Sequence, residues 1–278
     1  MARNESVFLL PRDKLPNTAE GLAEAIEDAL RPFVSRRERM VVIGGTDLCN
    51  LALIGVDLSG AVINPNHRPP ITKQFESEPA ISVRQLAISG DPISILDSQL
   101  AFRLEASDVN LNQVRTPDGQ VLLVLQSAGS GNIRFAAARA QLEGLIAKAA
   151  AHAAQKQGVT VEAVELDLEA NSRQTLDVRV TVTARKLFFR AVLRLAGRVA
   201  ISEDLVARIS DLRCEGDGTI AALACATISP YFARIEQRAF PLSALLVGEV
   251  GLRDVGFVVD SEQVVITARF GSESKKET

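Results

Sequence analysis

Tryptophan is absent from this 278-residue chain, tyrosine occurs once and aromatic residues make up only 4% of it. Recognition of single-stranded nucleic acid needs aromatic stacking platforms and a basic track for phosphates. A formal net charge of −3 and a pI near 5.6 provide no such track, so nucleic acid is excluded as a partner. Histidine occurs only at His67 and His152. There is no GxSxG elbow to pair with either, and no HxxxH, CxxC or EF-hand spacing, so the sequence carries neither a hydrolase nor a metal-site signature and no cofactor is expected. Long apolar runs are lacking as well. Val7 to Leu10 is too short for a signal-peptide core, and no segment approaches the ~18 apolar residues of a membrane span. A cytoplasmic location is expected for the chain as given, or an exported one where a leader has been removed. The cysteines are few and odd in number: Cys49, Cys214 and Cys225. A chain of this length can bury a core without staples, so they read as reduced, buried small hydrophobes, with a Cys214 to Cys225 disulfide as the alternative.

What is present is aliphatic. Hydrophobic residues make up 47% of the sequence, and with so few aromatics the core must be built from Val, Leu, Ile and Ala. The densest helix-forming stretch, Phe135 to Gln157, carries Leu142, Leu145, Ile146 and Ala149 on one face and ends at Gly158, a natural C-terminal cap. It is expected to be the helix about which the fold is organised, with His152 at its polar end. A first helix should open at Asn17, capped there with Glu20 three residues on, and run to about Ser35 with Leu22, Ile26, Leu30 and Phe33 inward. A third should span Thr219 to about Arg238, with Ile220, Leu223, Ile228, Tyr231 and Ile235 on one face and a kink or restart at Pro230.

Between the helices the pattern is that of strands. Met40 to Ile43 and Leu48 to Ile63 are broken at glycines, and Asn64 to Pro79, with Pro65, Pro69, Pro70 and Pro79, reads as a surface excursion containing an idle His67. Ile81 to Ile88 has Ile81 and Val83 on one parity but Leu86 and Ile88 on the other, which predicts an irregularity between them. Gln99 to Leu111 alternates cleanly, Thr116 to Gln120 is a turn, Val121 to Leu125 pairs back, and Ser127 to Asn132 is expected to be a flexible connector. After Gly158 come four long alternating strands: Val159 to Glu169, Thr175 to Arg185, Leu187 to Ile201 and Asp204 to Glu215. In the last, Val206, Arg208, Ser210 and Leu212 should share a face. Opposite charges should meet on the wet side of this meander. Val250 to Val259 and Gln263 to Phe270 form a closing hairpin, and Gly271 to Thr278 reads as a tail. The order predicts an α+β protein, with residues 1–16 as an extension, 17–271 as one elongated domain and 272–278 as a disordered tail.

Three stretches carry a family resemblance: AQLEGLIAKAAAHAAQKQGVTVEAVELDLE, VRVTVTARKLFFRAVLRLAGRVAI and RAFPLSALLVGEVGLRDVGFVVDSEQVVITARFG. They resemble the bacterial tubular lipid-binding (TULIP-like) proteins, such as the mycobacterial lipoglycan-associated lipid-binding family. The resemblance spans about Gln99 to Gly271. It implies long helices wrapped by a strongly curved antiparallel sheet, an elongated half-barrel with a hydrophobic groove for acyl chains. Leu142, Leu145, Ile146 and Ala149 on the helix, and Val178, Val180, Leu193 and Leu195 on the sheet, would line it.

The expected function is therefore non-enzymatic binding, with transfer, of a phospholipid or similar amphiphile. A peripheral membrane contact is expected at the turn ARKLFFR, where Phe188 would enter the bilayer while Arg185, Lys186 and Arg190 meet anionic headgroups. The alternative is an interaction or assembly module of the same architecture with a filled core, in which the apolar Leu242 to Val247 makes a dimer contact.

Overall fold

The computed structural model describes residues 7–10, 12–35, 38–63, 77–95, 98–116, 119–155, 158–186, 189–242 and 250–271. The expected excursion at 64–76 with His67, the apolar 243–249 and the tail at 272–278 lie outside these residues. The class is α+β, mostly strands with three helices among the described residues. In chain order the elements are β1 (Val7–Leu10), α1 (Ala19–Leu30), β2 (Val34–Ser35), β3 (Val41–Gly44), β4 (Asn50–Asp57), β5 (Val62–Ile63), β6 (Ser77–Ile95), β7 (Ser98–Arg115), β8 (Val121–Ser127), β9 (Ser130–Ala138), α2 (Arg139–Gln155), β10 (Thr160–Ser172), β11 (Thr175–Lys186), β12 (Phe189–Ile201), β13 (Val206–Gly216), α3 (Thr219–Glu236), β14 (Ala239–Pro241), β15 (Leu252–Val259) and β16 (Gln263–Phe270). They form a mixed sheet ordered β15-β16-β9-β7-β6-β4-β3, with β1, β2, β5 and β8 attached off this path, and an antiparallel sheet ordered β10-β11-β12-β13-β14. Neither sheet is strongly curled, which corrects the expected half-barrel. The chain divides into two compact units, one of residues 1–135, 242–254 and 267–278, the other of 136–241 and 255–266.

The first unit is built on β6 and β7, strands of 19 and 18 residues paired antiparallel. Their register runs unshifted from Ile81 opposite Leu111 to Gly90 opposite Phe102. The register does not shift between Val83 and Leu86, but the expected irregularity is there: Arg84 and Asp108 drop out of the ladder at that level, and Asp108 stands at φ 51, in the left-handed region. Because side chains alternate along a strand, burial of Ile81 and Val83 followed by packing of Leu86 and Ile88 against the same core means that the hairpin changes which face it buries. Its neighbours change at the same level: β4 buries Leu51 and then Ile54 and Val56, while β7 buries Leu111 and Val109 and then Ala106.

Helix α1 closes one end of this core with Leu22, Ala23, Ala25 and Ile26 buried. Its cap is Thr18 rather than Asn17, the hydroxyl accepting from the Gly21 N–H at 3.1 Å, and the helix stops at Leu30, before Phe33. One oxygen of Glu27 accepts from the Met40 and Val41 N–H groups at 2.8 and 3.0 Å, tying the helix to the start of β3. Two further expectations fail here. Pro79 belongs to β6, and Ser130 to Ala138, read as connector and helix start, form β9. Pairing within the sheet, Phe135 set against Phe102 with ring centroids 4.8 Å apart, and the Phe270 ring lying over Gly131 outweigh the helix propensity of the three alanines.

In the second unit the predicted meander is observed. Strands β10 to β13 pair antiparallel in succession, and apolar side chains fall into rows across them: Val164, Val182, Leu193 and Gly216; then Leu166, Val180, Leu195 and Cys214; then Ala170, Leu176, Val199 and Ile209. A register shift between Ala196 and Arg198 accompanies Asp211 at φ 54, a β-bulge in which the short acidic residue tolerates the left-handed backbone. The bulge corrects the predicted facing of β13. It brings Leu212 over Gly197, where any side chain would overlap it.

Helix α3 packs on β13 and β12, and Cys225 is joined to Cys214 by a disulfide with a Cα separation of 5.3 Å. Cys214 and Cys225 are thus not reduced, and the free Cys49 is exposed rather than buried. The bond also fixes which side of the helix faces the sheet. Ala221 and Cys225 are buried, Ala221 seated against Gly216, whereas Leu223 and Tyr231 are 70% and 60% exposed, contrary to the stripe read from the sequence. The helix continues through Pro230.

Helix α2 packs on β10, and none of its described side chains is fully buried. Leu166 on β10 donates its N–H to Glu143 at 3.1 Å, and its carbonyl accepts from Arg139 at 3.1 Å. The helix ends as predicted, with Gly158 at φ 67. It is a peripheral element and not the centre of the fold.

The disulfide closes a loop with a sequence separation of 11, for which chain-entropy arguments give a stabilisation of about 2–3 kcal/mol. Chemical denaturation with and without reductant is expected to show a loss of this size, and Cys225→Ser should make the protein insensitive to reductant. An unchanged midpoint on reduction would count against the bond.

Candidate ligand-binding site

The residues predicted to line a groove meet on one surface only in part. Val178, Val180, Leu193 and Leu195 share the apolar face of the antiparallel sheet: Val180 is paired directly with Leu195 and Val182 with Leu193, and Val178 is paired with Gly197. All four are half-buried. The same rows bring in Leu166, Leu168, Leu176 and Val182, which are buried and were not singled out from the sequence. Their alternation with Glu165, Asp167, Glu169 and Asp177 was legible, so the signal was there. Missing was the register that sets one strand's apolar parity beside its neighbour's.

The helix positions fare differently. Leu142, Leu145 and Ile146 are half-buried and Ala149 is exposed. His152 is exposed too. The apolar face is thus bounded by α3, bonded to Cys214 on the β13 side, and by α2 along β10, with β11 and β12 between them.

The opposite face of this sheet carries a ladder of charge. Arg179 bridges Asp167 at 2.8 Å and Glu169 at 3.6 Å. Arg198 bridges Asp177 at 2.7 Å and Asp211 at 3.4 Å, and Arg194 reaches Asp217 at 2.8 Å. Arg198 donates to both oxygens of Asp177, and Asn171 donates at 2.8 Å; the Arg198 contact first and the Asn171 contact second hold the Asp177 carboxyl down at about 2. Asp217 is lowered in the same sense by its hydrogen bond from Arg194. Partnered charges of this kind set strand register and keep the wet face wet.

At the β11–β12 end, Glu162 is 3.1 Å from Arg185 and 3.4 Å from Arg190. Two of the cations expected to meet headgroups therefore share one carboxylate, which lowers the charge on offer there. Phe188 and the Lys186 side chain lie outside the described residues. Among the described residues no group of three or more His, Cys, Asp or Glu could hold a metal ion, and no helix is long and apolar enough to cross a membrane.

No family model, curated protein or solved structure matches the chain. The antiparallel sheet presents two surfaces, one aliphatic and half-buried, the other polar with its charges paired.

For Asp177 the sign of the linkage follows from its lowered value. Its contribution to stability is present above the ordinary 3.8 and is lost as pH falls through about 2. A carboxyl-detected NMR titration should place the Asp177 midpoint at about 2, and Arg198→Ala should raise it toward the ordinary value. An unshifted midpoint in the variant would mean that Arg198 is not the cause.

Proposed function

We propose that the second unit binds the acyl part of a phospholipid or similar amphiphile, as a non-enzymatic carrier. The observation that carries this reading is the aliphatic face of the antiparallel sheet, whose residues on β11 and β12, Val178, Val180, Leu193 and Leu195, are only half-buried between the flanking helices. Branched aliphatic side chains without a polar group offer an acyl chain dispersion contacts and ask for no hydrogen bond in return. Burial of about 0.8 kcal/mol per CH₂ gives on the order of 10 kcal/mol gross for a fourteen-carbon chain before ordering costs. The resemblance of the three sequence stretches to TULIP-like lipid-binding proteins points the same way, with the acyl chain lying on a flatter sheet than that family's curved one.

The Cys214–Cys225 bond favours action in an oxidising compartment over the reducing cytoplasm expected from the sequence, because structural disulfides persist where thiols are not continuously reduced. Its position suits a carrier. It holds α3 at the margin of the aliphatic face, so the helix cannot slide inward to fill the space.

Native mass spectrometry of the purified protein, with organic extraction of the same sample, is the direct test. Discrete adducts that extract as lipid are expected, with a melting temperature that rises when lipid is added. Leu195→Lys should lower the lipid load while circular dichroism stays unchanged. A bare mass with no uptake and no thermal shift would overturn the reading in favour of a filled-core interaction module.

A further inference from the structure

The change of buried face in β4, β6 and β7 leaves a mark on the surface of the first unit. A cleft of about 670 Å³ opens at that level, and its lining takes in residues of both parities: Arg84 beside Gln85 on β6, and Ala106 beside Ser107 on β7. On a sheet that keeps one face buried, neighbours in sequence point apart. At the changeover both reach the same space. Ser130 and Asn132 of β9 and Arg269 of β16 complete the polar lining.

The charge in this cleft is unbalanced. Its one lining carboxylate, Glu105, is already engaged: Arg103 is 3.5 Å away and the Asn132 amide donates to it at 3.5 Å. Among the described residues neither Arg84 nor Arg269 has an ion-pair or hydrogen-bond partner, in contrast to Arg179, Arg194 and Arg198 on the other sheet. Besides Glu105, the polar side chains lining the cleft are neutral and able to donate: the Ser107 and Ser130 hydroxyls and the Gln85 and Asn132 amides. We infer that the cleft is a binding site for a phosphate group. A phosphate monoester carries about −1.5 to −2 charges near neutrality, which two guanidinium groups balance. Each guanidinium can also present two parallel N–H donors to its oxygens, whose further lone pairs can accept from a hydroxyl or amide. The volume lies within the range of about 300–1,000 Å³ typical of small-molecule sites, so the phosphate would be the anchored end of a larger molecule. The inference stands on the first unit alone and does not depend on acyl-chain binding by the second.

The test uses the full chain and inorganic phosphate, titrated at constant ionic strength against chloride and followed by amide NMR. Phosphate is expected to shift the resonances of Gln85, Ser107, Ser130, Gly131 and Asn132 where chloride does not. Arg84→Ala and Arg269→Ala should each weaken binding by roughly tenfold or more, as expected for loss of a charge-assisted hydrogen bond. Asn132→Asp, which adds a carboxylate without removing an arginine, should do the same and serves if an alanine variant does not fold. Flotation with phosphatidylcholine vesicles, plain or doped with phosphatidic acid, separates the two sources of phosphate. Recruitment that needs both phosphatidic acid and Arg269 assigns the site to a lipid headgroup; phosphate binding without recruitment assigns it to a soluble phosphorylated compound. Cleft resonances that respond alike to phosphate and chloride, or wild-type affinity in the arginine variants, would overturn the inference.

Discussion

The long ladder between β6 and β7 is the constraint on which the first unit rests. Its register is the same on either side of the level where the buried face changes, and at that level Asp108 stands at φ 51 with Arg84 and Asp108 unpaired in the ladder, so the change falls at a local break in the strands. Backbone pairing fixes where each residue sits and leaves open which of the two faces is covered at each level. Neighbouring β4 follows the same changeover because it is paired to β6 in parallel register, Ile54 beside Leu86 and Val56 beside Ile88. The core, the site of the cleft and the reach of α1 over β3 all follow from this ladder.

The second unit solves a different problem. Its sheet keeps one aliphatic and one charged face over the whole meander, which requires the alternation to survive an odd insertion in β13. The bulge at Asp211 absorbs that residue, and from Leu212 onward the strand returns to phase with β12. Cys214 is thereby turned to the face on which α3 lies.

Much of this unit was legible because alternation is a local signal. The strands β10 to β13, the meeting of opposite charges on their wet side and the end of α2 at Gly158 were all read from neighbouring residues, while the register decides that the partners are Asp167 with Arg179 and Asp177 with Arg198. What escaped depends on partners distant in the chain. Ala136 to Ala138 are helix formers by propensity and strand by pairing. The stripe of Leu223 and Tyr231 was apolar enough to read as inward, and the disulfide at Cys225 decides otherwise. Arg84 and Arg269 stand far apart in sequence with nothing around either to mark it. Only the fold brings them to one cleft.

Helix α2, the most conspicuous stretch in the sequence, contributes little to any core. Its value lies in Arg139 and Glu143, one helical turn apart, which occupy the carbonyl and the N–H that Leu166 directs away from the sheet. An outermost strand with such groups free is a template for strand addition by another chain. Strand β10 is thirteen residues long and carries Val164, Leu166 and Leu168 on one face, the composition that makes end-to-end sheet growth a hazard. By occupying the middle of that strand, a helix with no fully buried described side chain limits how far one molecule's sheet can be extended by the next.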